Sequence, residues 1–198
     1  MTYRSKAYLQ LLLVSAIWGF AGPVIKFTLR ELSPLVFLFY RFALAGTFAI
    51  LTLPFFRIKV SPKILLYCFL TSTVGLGLLF LGYNQTSSIE GALISAIGPL
   101  LTATAGVMFL RERVTNREKI GIIIALIGTL IIIPSYSFQG NLLIMSSVLV
   151  GVLLAIMAKV LLRDQAHSAF ALTQLSFAVG LLTTLPIVLL QHSPASIM

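Results

Sequence analysis

Charge is what this sequence has least of. Asp, Glu, Lys and Arg together make up 10% of its 198 residues, against 59% apolar ones, and its mean hydropathy is +1.05. A soluble domain carries about 25% charged residues, so the shortage excludes a surface that faces water. Acids are scarcer still, five against fourteen Lys and Arg, for a net charge of +9. In a soluble protein that excess would point to nucleic acid. Here the cations sit in short loops between apolar runs and form no contiguous basic face, so nucleic acid is not a partner and the charges read as topology signals.

Reactive side chains are missing as well. Cys68 is the single cysteine, which allows no internal disulfide, and its apolar surroundings make it a packing residue. His167 and His192 lie at opposite ends of one apolar run, too far apart for a metal cluster or an intramembrane Ser–His pair. No Gly-rich phosphate loop is present, which excludes ATP hydrolysis by this chain. The sequence reads as neither an enzyme nor a holder of metal or cofactor.

Long hydrophobic runs are what it has in quantity. Crossing a hydrocarbon core of ~30 Å takes ~20 apolar residues, and the runs divide into about seven such helices: 7–30, 34–56, 62–84, 90–110, 118–135, 141–163 and 168–190. Ser33-Pro34, Ser61-Pro62 and Pro134-Ser135 mark their ends. The fold class is therefore all-α, a helical membrane bundle, because an open sheet cannot satisfy its backbone in lipid. The run from Leu9 lacks a small-residue cleavage motif and is read as a retained first helix. Eleven of the Lys and Arg residues fall on one side of the membrane and only Lys26 and Arg30 on the other, with Arg41 inside the second span. The positive-inside rule puts the N-terminus in the cytoplasm.

Residues 141–190 can be laid over 8–57 with an offset of 133. Lys26-x3-Arg30-Glu31 then falls on Lys159-x3-Arg163-Asp164, and Phe37 falls on Phe170. Five spans per unit is an odd number, so the second copy enters the membrane upside down, as in many secondary transporters. The expected units are residues 1–136, a five-helix repeat, and 137–198, the first two helices of an inverted copy. Three helices of that copy are expected to be missing.

Ionisable groups within spans are costly and are functional candidates by default. Arg41 lies about 10 Å below the surface at 1.5 Å per residue, beside Tyr40. It can pair with an acid to lock helices, grip an anionic substrate through two parallel hydrogen bonds, or snorkel to the headgroups. Glu90 opens the fourth span; Arg41 and Lys26 are its obvious partners. It is either a carboxylate favoured by a helix N-terminus or a proton carrier coupled to transport. Trp18 sits in mid-span with Ser15, Gly19 and Gly22 on its face and can line a cavity or simply pack. Gly22-Pro23 and Gly98-Pro99 are hinge candidates, because they interrupt spans and free backbone groups. Gly98, Thr102 and Gly106 form a small-residue packing stripe.

Ser15-Ala16-Ile17-Trp18-Gly19-Phe20, Leu32-Ser33-Pro34 and Tyr40-Arg41-Phe42 resemble the opening of EamA-type members of the drug/metabolite transporter superfamily. Gly98-Pro99-Leu100-Leu101, Phe109-Leu110-Arg111-Glu112-Arg113 and the run from Gly121 to Gly128 resemble the fourth and fifth helices of that repeat. The resemblance covers residues 8–135 in order, with 141–190 similar to the start of a second copy. It implies two five-helix repeats in the cytoplasmic (inner) membrane, carrying small metabolites such as amino acids or drugs, usually outward. The implied partners are the lipid bilayer, a small-molecule substrate, protons as a candidate coupling ion and a homodimer as a candidate assembly. Glu112 is implied to be a conformational or topological element at the cytoplasmic face. The expectation is a secondary transporter working by alternating access; the alternative is a non-transporting membrane subunit or a nonfunctional truncated fragment.

Overall fold

The computed structural model describes residues 3–55, 60–110, 137–162 and 168–191, with scattered positions between 115 and 127. Among the described residues the secondary structure is helical throughout. Helix α1 spans Tyr3–Thr28 and α2 spans Pro34–Thr52, extended by a 3-10 turn over Leu53–Phe55. The next span is α3 (Pro62–Phe69), a wide turn over Leu70–Gly75 and α4 (Leu76–Gln85). It is followed by α5 (Ser88–Ala96) and α6 (Gly98–Leu110), then by α7 (Phe138–Leu162) and α8 (Ala169–Gln191). Together they make six spans long and apolar enough to cross a membrane. The expected fifth span, 118–135, falls for the most part outside the described residues, as does Glu112.

Local chemistry explains the helix starts. Pro34 and Pro62 stand in the first turn, where a missing N–H costs nothing. Serine hydroxyls accept from orphan backbone donors at four other entries or shared ones: Ser61 from Ile64 N, Ser87 from Glu90 N, Ser137 from Gly140 N and Ser168 from Ala171 N. The break in the fourth span falls at Ile97, immediately before Gly98-Pro99. The other Gly-Pro pair behaves differently, because α1 continues through Gly22-Pro23 without a break. A proline removes one internal hydrogen bond and tilts a helix without ending it where neighbours hold it in place.

The distribution of side chains is inverted relative to a soluble protein. Large apolar residues such as Phe20, Leu44, Phe55 and Leu190 point outward, each more than 70% exposed, while Ser72, Thr86, Glu90, Gln174, Ser176 and Thr184 are buried. Lipid supplies the apolar solvent on the outside, so burying apolar surface cannot drive the helices together; close packing and interhelical hydrogen bonds must do it. The α4–α7 crossing shows how. A Cβ on Gly82 would overlap Ile144 and stand 2.9 Å from the Gly140 carbonyl oxygen, while one on Gly140 would meet Gln85 and Thr86 at 3.0 Å. Below that crossing the third span widens into five-residue hydrogen-bonded turns over Leu70–Gly75. This geometry frees carbonyls, and the Ser147 hydroxyl donates to one of them, Gly75 O, at 2.7 Å.

Two clusters form the core. Ile25, Leu38, Phe42, Phe80, Tyr83, Ile94 and Ile144 gather where α1, α2, α4, α5 and α7 meet. Ile64, Cys68, Leu172 and Leu175 form the other, between α3 and α8, and Cys68 is fully buried there as a free thiol. Among the described residues the most extensive helix packing is α2 on α8.

Candidate functional site

An open groove of about 310 Å³ lies between α1, α2 and α4, with Trp18, Ala21, Ile25, Arg41, Leu76 and Leu79 among its lining residues; Trp18 is 65% exposed and Arg41 is exposed as well. Its depth follows from helix geometry. Trp18 lies ten residues before the end of α1, and Arg41 seven residues after the start of α2. At 1.5 Å per residue these positions are roughly 10–15 Å below the end of the bundle that carries the 29–33 turn, near the middle of a ~30 Å core. Arg41 and Trp18, chosen separately from the sequence, therefore face one space.

The Arg41 guanidinium carbon stands 5.9 Å from the centroid of the Phe80 ring. That ring is fully buried and stacks on Phe37 at 4.8 Å. A cation over an aromatic face gains about 0.5–2 kcal/mol, which partly offsets the cost of a guanidinium inside the membrane. Among the described residues no carboxylate pairs with Arg41. Tyr40, its chain neighbour, is 55% exposed, packs at a tilt against Phe39 and is not among the lining residues.

Lys26 and Glu90 occupy a second polar region, at the same end of the bundle. Lys26 Nζ donates to the backbone carbonyls of Tyr83 at 2.8 Å and Asn84 at 3.2 Å. Those are orphan acceptors of the last turn of α4, where a positive charge also meets the negative end of the helix. Lys26 therefore caps α4. Glu90, 1% exposed, is joined to the Thr86 hydroxyl, which also lies 2.8 Å from the Asn141 side-chain oxygen at the start of α7. The contacts described for these residues tie Glu90 to Thr86, Lys26 to α4 carbonyls and Arg41 to Phe80.

A hydroxyl owns one proton and can both donate and accept. The Thr86 hydroxyl thus links Glu90 on the fourth span to Asn141 on α7.

Gly22 makes room for a close contact. A Cβ there would stand 3.3 Å from the Tyr83 hydroxyl, and one on Gly91 would collide with the same ring, so Tyr83 is wedged between α1 and α5. Thr86, Asn141 and Tyr83 were not among the residues expected from the sequence. One signal was available: Ser87-x-x-Glu90 has the spacing of a helix-entry capping box and marks the start of α5 two residues earlier than hydropathy does. The Glu90 backbone follows that pattern, while its side chain goes to Thr86.

Six apolar spans, an apolar exterior, polar groups turned inward and a cavity near mid-membrane with one cation define a multi-pass membrane protein built like a carrier. The model of the EamA-like transporter family matches residues 5–133, and the chain belongs to that family. It is 31% identical over 186 residues to an uncharacterized transporter of Archaeoglobus fulgidus, covering 91% of this chain and 67% of that protein. It is 26% identical over 206 aligned positions to the uncharacterized transporter YyaM of Bacillus subtilis, covering 96% of this chain and 67% of that one. A third relative, the uncharacterized transporter YcxC of Bacillus subtilis, is 27% identical over 97% of this chain and 65% of its own length. The chain thus spans about two thirds of the length of these relatives.

Proposed function

We propose that the protein is a secondary transporter, or the greater part of one, that exports small metabolites across the cytoplasmic membrane by alternating access. The observation that carries this reading is the cavity near mid-membrane between α1, α2 and α4, where Trp18 and Arg41 face the same apolar space. Transporter sites typically lie at that depth between repeated units. The solute sits against Trp18 with Arg41 as its polar anchor. Glu90 is the coupling group, supported by its burial and by its link through the Thr86 hydroxyl to Asn141 on α7. Gly98-Pro99, beside the break at Ile97, is the hinge of the fourth span.

In the inverted-repeat reading α8 is the counterpart of α2, and the two helices pack on each other. A Cβ on Gly180 would stand 2.9 Å from the Phe42 ring, and one on Gly46 would stand 2.9 Å from the Phe177 carbonyl oxygen and 2.8 Å from Leu181. The Phe42 and Phe177 rings pack at 6.2 Å. Each helix thus offers a phenylalanine and a glycine to its partner. The positions matched in this way, 42 with 177 and 46 with 180, differ by one or two residues from the offset of 133 seen in the sequence.

The test is flux. Proteoliposomes holding this chain are to be loaded with candidate metabolites and compared with the same vesicles carrying Arg41→Ala or Glu90→Gln. Solute loss that is impaired in both variants supports the assignment. Flux unchanged in both removes these residues from the mechanism.

A further inference from the structure

We infer that the Arg41 cavity selects small organic monoanions with an apolar body, of which an aromatic monocarboxylate is the type; this class assignment rests on the cavity being the transport site. Arg41 keeps its charge under all ordinary conditions. Among the described residues no carboxylate pairs with it, and its described neighbour is the neutral face of Phe80. A guanidinium at that depth is costly without a counter-charge, and a carboxylate can supply one through two parallel N–H···O bonds. The other lining side chains are apolar or aromatic, Trp18, Ile17, Val24, Leu76 and Leu79 among them. None can accept a hydrogen bond from an ammonium group.

Three solute classes are therefore disfavoured for stated reasons. A cation meets Arg41 as a like charge. A zwitterion finds a partner for its carboxylate, but no lining side chain offers its ammonium an acceptor in place of the water it loses. A dianion leaves one charge uncompensated in an apolar space. At ~30 Å³ of liquid per water molecule, the open groove of about 310 Å³ has room for roughly ten water-sized groups. A benzene ring bearing one carboxylate is of that order, and the indole of Trp18 offers a flat surface for it to stack on.

The chain holds a single tryptophan, Trp18, so the cavity reports on itself. The purified chain in lipid nanodiscs is to be titrated at constant ionic strength with benzoate, phenylalanine and benzylammonium while Trp18 emission is followed with red-edge excitation. Benzoate is expected to shift the emission saturably, with the other two requiring at least about tenfold higher concentration. Arg41→Gln is expected to abolish the preference. Arg41→Lys, which keeps the charge but loses the planar fork, is expected to retain it in weakened form; circular dichroism verifies that both variants are folded. Phenylalanine binding as tightly as benzoate, a folded Arg41→Gln protein that still prefers benzoate, or no response to any of the three probes overturns the inference. Vesicle flux separates the two proposals: benzoate that binds through Arg41 but never crosses leaves the class standing and removes the transport reading. Zwitterion flux indifferent to Arg41→Gln does the reverse.

Discussion

The Phe42 ring lies where a β-carbon on Gly180 would have to go, at 2.9 Å. That contact sits in the middle of the most extensive helix pair among the described residues, α2 on α8, and its counterpart is Gly46 under Phe177 and Leu181. Because apolar burial does not drive association in lipid, such close approaches carry much of the stability. Gly180→Ala forces a ring or a helix to move, and overpacking of this kind costs typically 1–3 kcal/mol. The expected result is a lower unfolding temperature in detergent. Gly151→Ala is the control, since nothing stands within 4 Å of a Cβ there; its melting point is expected to stay level or rise slightly, as alanine is the better helix former. Equal losses in both would remove the special role of the α2–α8 crossing.

Thr86 holds the buried Glu90 to the bundle. Thr86→Val keeps the shape of the side chain and removes its hydroxyl, taking a hydrogen-bond partner from a carboxylate that is 1% exposed. Loss of a partner for a buried polar group costs about 1–3 kcal/mol, more if charged. Glu90→Gln retains hydrogen-bonding capacity, so its stability is expected to exceed that of Thr86→Val while its transport falls. Chemical denaturation read beside vesicle flux separates the two effects, and a Glu90→Gln protein that melts as early as Thr86→Val would assign Glu90 to folding alone.

Lys26 bonds two carbonyls at the end of α4, and this predicts a different pattern from that of an ion pair. Lys26→Met keeps the aliphatic stem and loses both hydrogen bonds, with an expected cost of about 1.5–3 kcal/mol. The loss should persist in high salt, because salt screens exposed charges far more than short, partly buried hydrogen bonds. A melting difference between wild type and Lys26→Met that disappears at high salt would instead mean that long-range charge attraction holds α1 in place.

The sequence made the spans legible because membrane length and hydropathy are properties of single segments. Pro34 and Pro62 begin helices as their chemistry requires, and Asn84-Gln85 ends the third span. Gly98-Pro99 likewise marks a real interruption, at Ile97. The partners of the candidate residues were not legible, for a physical reason. Lys26 binds backbone carbonyls, which every residue has, and Asn141 reaches Thr86 from 55 positions away. Gly22 drew notice beside Pro23, but nothing in the sequence says that its lack of a side chain admits the Tyr83 hydroxyl from another helix. The widened turn over Leu70–Gly75 left only a faint trace, the run Thr71-Ser72-Thr73, whose first two hydroxyls donate back to Tyr67 O and Cys68 O. Such back-bonding bends helices, but the sequence does not say where the bend becomes a wider turn.

Orientation is the remaining expectation that a single cysteine makes easy to check. Cys68 is fully buried between α3 and α8, packed with Ile64, Leu172 and Leu175, so a maleimide is expected to leave it unlabelled in intact membranes and to reach it only after denaturation. In a Cys68→Ser background, Asn84→Cys and Lys63→Cys then report opposite ends of the third span, and both positions are exposed. By the positive-inside rule, the bias of eleven cations against two predicts that the Lys63 end faces the cytoplasm. A membrane-impermeant maleimide added to whole cells is therefore expected to label Asn84→Cys at once and Lys63→Cys only after permeabilisation. The reverse pattern would invert the whole bundle, put Glu90 and Lys26 at the cytoplasmic end, and require protons to reach Glu90 from inside the cell. Labelling of both positions in intact cells would show two orientations in one membrane, the arrangement expected if the loop cations fail to dictate insertion.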